Sequence, residues 1–336
     1  MRLVILAACL TLGLVLAADA ALATSPGRNG VIVYRTYFND AHSWGAVFTM
    51  NADGTGSRQI SHPAKGTFDD QPDWAPDGSA IAFTRCRPDP YPCLIYTMKP
   101  DGSDAHQLGP CPPGGKQITR CTNDSWAQFS PDSKTLVFTE ARGPVKADPK
   151  EGNIILHSSI DVMNADGSGR RVVYRSAPYS SDLQYPVFSP DGKQVVFERD
   201  NSSFSKPVTG KALFVVNLDG THLHRITPWA ERDGDNPDWS PDGKWILYRT
   251  HQEDDAHQSQ FALVHPDGSG AHDITHFPAG THVASGSFSP DGTSITFAKG
   301  PEGGNIDVFT MALDGSHVVR LTTSPLWNSA PDWGAA

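Results

Sequence analysis

The sequence has few charged residues and is short of basic ones. Charged residues make up 19% of its 336 positions, and 27 Lys and Arg stand against 37 Asp and Glu, which gives a formal net charge of −10. Phosphate backbones are bound by clustered Lys and Arg, so we expect no nucleic-acid partner. Cations, basic proteins and neutral sugars are compatible with this charge.

The sequence also lacks an apolar run long enough to cross a membrane. The run from Leu3 to Leu16 follows Arg2 and is shorter than the ~20 residues that a span needs. Small residues in the positions preferred for signal cleavage come next, so we expect cleavage after Ala20 or Ala23. We therefore predict a secretory signal peptide over 1–23 rather than a transmembrane anchor, and a periplasmic or extracellular protein.

Cysteines are scarce, and none has the C-x-x-C spacing that zinc sites usually show. Four remain beyond the signal: Cys86, Cys93, Cys111 and Cys121. An even count in an exported chain indicates disulfides. Of the three pairings that four cysteines allow, we favour Cys86–Cys93, which would clamp the ends of the CRPDPYPC loop. Cys111–Cys121 would then close the next loop, and a metal site is the weaker interpretation.

Short catalytic motifs are missing as well. The chain has no G-x-S-x-G, no H-E-x-x-H and no glycine-rich loop that would cradle a phosphate before a helix. A site assembled from separate loops leaves no such motif, and two carboxylates for glycoside chemistry would still meet across a channel. The sequence therefore favours a non-enzymatic protein and leaves the enzyme alternative open.

Glycine and proline are abundant, at 31 and 27 residues, and they recur within one repeated unit. Its first part is exemplified by NPDWSPDGKWILYRT and its second part by LFVVNLDGTH. The aromatic residue before each Ser-Pro-Asp-Gly-type turn recurs at spacings of 55, 59, 51 and 49 residues: Trp74, Phe129, Phe188, Trp239 and Phe288. This is the period of a β-propeller blade, longer than that of a solenoid repeat.

The chemistry of the unit predicts four strands. Proline presets φ near −65° and glycine supplies positive φ, which together make a tight turn between a first strand, a, and a second strand, b. The later Asp-Gly pair is a strong hairpin signal and would join strands c and d. A variable loop would connect b to c.

The two ends of the chain carry matching half units. The segment Gly30–Arg35 resembles a b strand without an a strand before it, and Ala330–Trp333 resembles an a strand without a b strand after it. We therefore predict an all-β fold, a six-bladed β-propeller of four-stranded blades over 24–336. The N-terminal and C-terminal strands would close the ring and remove open sheet edges.

The Ser-Pro-Asp-Gly-centred unit resembles the WD-like repeat of the TolB C-terminal propeller, and the resemblance covers Gly30 to Trp333. It implies an exported protein that binds a protein or a cell-envelope component. The separate N-terminal α/β domain of TolB is not expected here, because few residues lie between the signal and the first strand. The same repeat serves many roles, so it specifies the fold better than the function.

Binding residues are expected on the face formed by the long b–c loops and d–a crossings, because function concentrates on loops held by a rigid scaffold. Polar residues shortly before the a strands would surround the channel mouth there: Asp70, Asp124, Asp182, Asp235, His282 and Asn328. They would form an acidic funnel for a basic ligand or a divalent cation such as calcium. Solvated loop residues that cap turns are the alternative.

Aromatic residues are expected on the same face, where they would anchor a partner or stack on sugars. They are Trp44, Tyr91, Tyr179, Phe204, Trp229 and Trp327. Packing of the loops against each other accounts for them equally well. The main hypothesis is a monomeric secreted binding module without a cofactor. A channel-site glycan hydrolase or lyase that uses a divalent cation, and a purely structural envelope protein, are its rivals.

Overall fold

A computed structural model of the chain describes residues 27–87, 93–109, 122–142, 147–148, 152–153, 157–177, 182–200, 210–229, 235–252 and 255–336. The regular structure in these ranges is β-strand without a helix, so the predicted all-β class is confirmed. No helix in this part of the chain is long and apolar enough to span a membrane. The predicted signal peptide, Cys111 and Cys121 lie outside the described residues.

The strands form antiparallel groups of four, which we call the terminal group and groups 1 to 5. The terminal group contains β26 (Trp327–Ala335), β1 (Asn29–Tyr37), β2 (Gly45–Met50) and β3 (Arg58–Gln59). Group 1 contains β4 (Phe68–Trp74), β5 (Ile81–Cys86), β6 (Leu94–Met98) and β7 (His106–Gln107). One parallel bridge, Gly45 to Phe68, joins these two groups into an eight-stranded sheet.

The other groups are separate sheets. Group 2 contains β8 (Asn123–Phe129), β9 (Thr135–Arg142), β12 (His157–Asn164) and β13 (Arg171–Arg175), with the small hairpin β10 (Ala147–Asp148) and β11 (Gly152–Asn153) between its middle strands. Group 3 contains β14 (Leu183–Phe188), β15 (Gln194–Asp200), β16 (Lys211–Asn217) and β17 (His224–Arg225). Group 4 contains β18 (Asp235–Trp239), β19 (Ile246–Gln252), β20 (Asp255–Val264) and β21 (His272–Asp273). Group 5 contains β22 (Thr281–Phe288), β23 (Ser294–Pro301), β24 (Asp307–Ala312) and β25 (Val319–Arg320).

In groups 2 to 5, the turn between the first two strands is built by its own side chains. In group 2 the Ser130 hydroxyl donates to Asp132 Oδ1 at 2.7 Å and accepts the backbone N–H of Thr135 at 2.9 Å. The same pair of bonds recurs at Ser189, Ser240 and Ser289. Because these bonds are local, the repeated sequence motif fixes the same turn each time.

The hydrophobic core lies mainly between neighbouring groups. One cluster joins Phe138 of group 2 to Ala82 of group 1, and another joins Val33 of the terminal group to Phe83 of group 1. Four further clusters link groups 2 and 3, 3 and 4, 4 and 5, and 5 and the terminal group, and a small cluster around Leu94 lies within group 1. Strands with apolar residues on both faces are therefore covered on both sides.

The terminal group is made from both ends of the described chain. Strand β26 pairs with β1 in an antiparallel register from Asn29–Ala335 to Tyr37–Trp327. The Thr36 hydroxyl also donates to Asn328 Oδ1 at 2.8 Å across this pair. The two half units predicted from the sequence therefore pair with each other.

One predicted disulfide is confirmed. Cys86 at the end of β5 is bonded to Cys93 just before β6, with their Cα atoms 4.1 Å apart. The bond closes the base of the loop that connects the second and third strands of group 1. The predicted partner pair, Cys111 and Cys121, lies outside the described residues.

Candidate binding site at the central cavity

The first strand of every group carries a β-bulge, and the residue in the bulge has positive φ. The register shifts beside each of these residues, and their φ angles range from 35° to 55°: Gln71, Trp126, Tyr185, Asn236, Ser285 and Ala330. All of them line one cavity of about 80 Å³, which we call the central cavity. The first strands of all groups therefore converge on a common space.

Three carboxylates line the same cavity, and we call them the acidic trio: Asp73, Asp238 and Asp332. Each lies two residues after a bulge and accepts a backbone N–H from the next group. Asp73 accepts from Phe129 at 2.7 Å, Asp238 accepts from Phe288 at 2.7 Å, and Asp332 accepts from Trp74 at 2.8 Å. The trio thus clamps group 1 to group 2, group 4 to group 5, and the terminal group to group 1.

Burial makes ionisation of the trio costly. It raises the pKa of Asp238 to about 7, with the nearby charge of Asp332 adding to the shift. Burial also raises the pKa of Asp332, and it raises the pKa of Asp73 well above its usual range, where Asp332 and Asp238 contribute further. Like charges in a poorly solvated space favour protonation, so the trio holds protons at a higher pH than isolated carboxyls do.

Asp70, a predicted binding residue, is engaged in an ion pair. The Arg35 guanidinium donates to Asp70 Oδ1, and the Tyr37 hydroxyl donates to Asp70 Oδ2 at 3.2 Å. Arg35 also donates to Ser329 Oγ at 3.1 Å and lies 4.4 Å from the centre of the Tyr37 ring. Burial, followed by the charge of Asp70, raises the pKa of the Tyr37 hydroxyl, so this group stays neutral at neutral pH.

Asp124 is held by a second arginine. Arg170 donates to both oxygens of Asp124, at 2.8 and 3.1 Å, and also to Glu140 at 2.7 Å and Asp161 at 3.0 Å. Burial raises the pKa of Asp161 to about 6 against the opposing effect of Arg170. One guanidinium thus occupies the space between three carboxylates of group 2.

The remaining predicted residues lie in separate surroundings. Asp182 accepts from Gln184 at 2.7 Å, and burial raises its pKa to about 6. Asn328 is 2% exposed and bonds within the terminal group and to Asp307. His282 Nδ1 lies 3.8 Å from Glu302, and Asp235 begins β18 opposite Arg249.

These six residues occupy three different registers of the first strand. Asp70 and Asp235 come one position before the bulge, Asp124 and Asn328 come two positions before it, and Asp182 and His282 come three. Successive residues of a strand point to opposite faces. The set is therefore not one ring of equivalent positions, and its binding role stays a prediction.

The bulge residues share one register, and the members of the trio share another. Neither set was predicted from the sequence to belong to the site. The trio had a signal in the sequence: Pro-Asp-Trp recurs at Asp73, Asp238 and Asp332. The bulge residues had none, because Trp and Tyr are rarely assigned to positive φ.

The described aromatic residues of the long-loop face pack against neighbouring rings. Trp44 meets Phe38 with ring centres 4.8 Å apart, Trp229 meets Phe214 at 5.6 Å, and Trp327 meets His42 at 4.5 Å. The other predicted aromatics lie outside the described residues: Tyr91, Tyr179 and Phe204.

Metal binding needs several ligands that converge on one point. In the described ranges, no group of three or more His, Cys, Asp or Glu side chains is placed to hold a metal ion. Arginine occupies the carboxylates of Asp70 and Asp124, so these do not fit a calcium site as they stand. The calcium expectation remains a prediction.

The four-stranded groups, the cores between them and the converging first strands define a β-propeller type of protein. A family model described as the TolB β-propeller domain matches residues 155–334. The chain belongs to the TolB β-propeller family. Among solved structures it is similar to TolB from Acinetobacter baumannii, with a TM-score of 0.68, 19% identity, and coverage of 91% of this chain and 67% of that one.

The chain is also similar to parts of two enzymes. The chain is 32% identical to dipeptidyl-peptidase 5 of Porphyromonas endodontalis over 109 residues. This matched segment is 32% of this chain and 15% of that protein. The chain is 26% identical over 172 residues to the oligogalacturonide lyase of Pectobacterium atrosepticum, 48% of this chain and 40% of that protein. An oligogalacturonate lyase in complex with manganese has a TM-score of 0.53 at 16% identity, over 90% of this chain and 75% of that one. The chain thus matches less than half the length of these two curated relatives.

Proposed function

We propose that the chain is an exported binding scaffold, a six-bladed propeller closed by β1 and β26, whose partner docks on the long-loop face around the central cavity. The partner would be a protein or a cell-envelope component. The observation that carries the proposal is the ring of bulge residues, because every group contributes one side chain at a strained backbone position to one shared cavity. Strain retained at equivalent positions points to a common site.

The cyclic order of contacts supports the closed ring. A glycine in the turn before the fourth strand packs against the outer strand region of the preceding group in every case: Gly54, Gly102, Gly167, Gly220, Gly268 and Gly315. These contacts run from each group to the next and from group 5 back to the terminal group. Together with the pairing of β1 and β26, they leave every group with two neighbours.

A site-specific cross-linking experiment tests the binding role. A photoreactive phenylalanine analogue replaces Tyr185 at the central cavity in one variant and Lys193 in the other, an exposed residue of the turn between β14 and β15. Both variants are exposed to an envelope extract as disulfide-intact protein. We expect a discrete cross-linked product from the Tyr185 variant alone. Equal products from both sites, or none from Tyr185, would contradict the proposal.

A glycan lyase or hydrolase is the second candidate, and the similarity to oligogalacturonide lyases is what favours it. It receives less support from the chemistry of the chain, since no metal-holding group occurs among the described residues. Release of unsaturated products from oligogalacturonides, lost on treatment with EDTA, would replace the scaffold proposal with this one.

A further inference from the structure

The central cavity has an aromatic wall. The rings of Trp126 and Tyr185 lie 4.8 Å apart, inclined at 56°, and both residues hold positive φ, at 55° and 52°. Non-glycine residues adopt this region at a cost of roughly 1–2 kcal/mol each. The indole Nε1–H of Trp126 is buried and has no acceptor among the described residues. The wall therefore offers two π faces and an unused donor.

The other side of the cavity is acidic. Each member of the trio uses one oxygen to clamp the neighbouring group, and the second oxygen of Asp73 receives no hydrogen bond from any described residue. Among the described residues that line the cavity, the trio are the charged groups. Any negative charge on the cavity lining therefore comes from the trio.

We propose that the central cavity binds the guanidinium group of an arginine side chain that a protein partner presents, an inference that rests on the proposed scaffold function. A guanidinium is planar and weakly hydrated, and it stacks on Trp and Tyr while donating to carboxylates. A cavity of about 80 Å³ suits the head of one side chain rather than a folded segment. The Trp126 Nε1–H would then donate to a main-chain carbonyl oxygen of the same partner.

The protein already uses this arrangement at Arg35. Arg35 places its guanidinium over the Tyr37 ring and bonds to the carboxylate of Asp70. The described residues that line the central cavity supply the same chemical groups, two rings and three carboxylates, and include no Lys or Arg. A guanidinium there would take the place of the protons that the trio otherwise holds.

The test compares two small probes by isothermal titration calorimetry on the full mature chain. Nα-acetyl-arginine N-methylamide is the cation, and the citrulline analogue is its neutral counterpart of the same shape. We expect the arginine probe to bind at pH 7.5 about tenfold or more tightly than the citrulline probe. Binding should also release protons, measured from the dependence of the heat on the ionisation enthalpy of the buffer.

Variants locate the site. Trp126→Ala should weaken the arginine probe about tenfold, whereas Trp126→Phe should keep most of the affinity because it keeps a ring. Asp238→Asn should weaken binding and reduce proton release. Asp242→Asn, in an exposed turn, is the matched control and should change neither. Melting curves check that each variant is folded.

The outcomes separate this inference from the function on which it rests. Equal affinity for both probes, or no binding of either, while the Tyr185 variant still cross-links a partner, would overturn the arginine site and leave the scaffold. Calcium binding that Asp238→Asn abolishes, with no arginine binding, would make the cavity a site for inorganic cations. Loss of cross-linking at Tyr185 with arginine binding intact would contradict the scaffold instead.

Discussion

At the scale of single residues, the acidic trio combines two opposed effects. Each carboxyl joins two neighbouring groups through a backbone N–H bond, which stabilises the fold. Ionisation of the same carboxyls opposes folding, because they are poorly solvated and repel each other. An amide side chain in their place would keep an acceptor for the bond and remove the charge.

We predict that Asp238→Asn stabilises the protein at pH 8, by on the order of 2 kcal/mol. The pKa of Asp238 is about 7 in the folded state, above its value in the unfolded chain. The folded state therefore binds more protons between these two values, and stability falls as pH rises from about 4 to about 7. Denaturant unfolding at several pH values measures this slope, which the substitution should reduce.

Asp242→Asn serves as the comparison, because Asp242 is exposed in a turn. Burial raises the pKa of Asp242, but hydrogen bonds from Lys244 and Ser240 outweigh it, so the pKa is lowered. That variant should keep the slope of the parent chain. A pH slope that is unchanged in Asp238→Asn would show that this carboxyl is not the group responsible.

At the scale of elements, glycine positions decide how closely the groups approach. In the turn between β24 and β25, Gly315 has φ +76°, and an added Cβ would overlap the carbonyl oxygen of Ile274 in the neighbouring group. In the turn between β4 and β5, Gly78 has a similar φ of +71° with open space around it. The two positions differ in packing and share the same backbone conformation.

We predict that Gly315→Ala destabilises the protein by about 3 kcal/mol, because it adds an overlap between groups to the strain at positive φ. Gly78→Ala should cost only the strain, about 1 kcal/mol. Equilibrium unfolding in urea compares the two variants with the parent chain. Equal losses would mean that the contact between groups 4 and 5 adjusts without cost.

The strand order could be predicted from the sequence because its determinants are local. The Ser130-type turns of groups 2 to 5 carry their own hydrogen bonds, so these repeats specify their first two strands locally. The disulfide Cys86–Cys93 was predictable for the same reason, as it closes a short loop.

The site depends on the register of the first strands, which the sequence does not predict. A bulge shifts the alternation of the first strand. Asp70 in β4 and Asp124 in β8 lie one and two residues before the bulge, and they therefore occupy different registers. Their arginine partners, Arg35 and Arg170, are separated from them by 35 and 46 residues. Such pairs arise from tertiary packing and leave no local pattern.

At the scale of the whole molecule, stability is distributed over the contacts between groups. Apolar clusters connect each group to its neighbours, and none forms a single central core. The pairing of β1 with β26 completes the terminal group, which has clusters with both group 1 and group 5. Loss of one strand there would affect two interfaces together.

We predict that removal of residues 327–336 abolishes cooperative thermal unfolding and exposes apolar surface that binds a hydrophobic dye. Strand β26 buries Ala330 and Trp333 and pairs along the length of β1, so its loss opens a sheet edge. A chain that lacks only Ala336 is the control. A synthetic peptide of residues 327–336 should restore the cooperative transition, and a truncated chain that still unfolds cooperatively would contradict the prediction.

The antiparallel register of β1 and β26 also has a mechanical consequence. Asn29 and Ala335 are partners at one end of the ladder, so a force that pulls them apart loads its hydrogen bonds one after another. Bonds that break in sequence resist far less than bonds sheared together. An enzyme that unfolds the protein by pulling on either end would therefore separate β1 from β26 first. The other groups would unfold after this pair has opened.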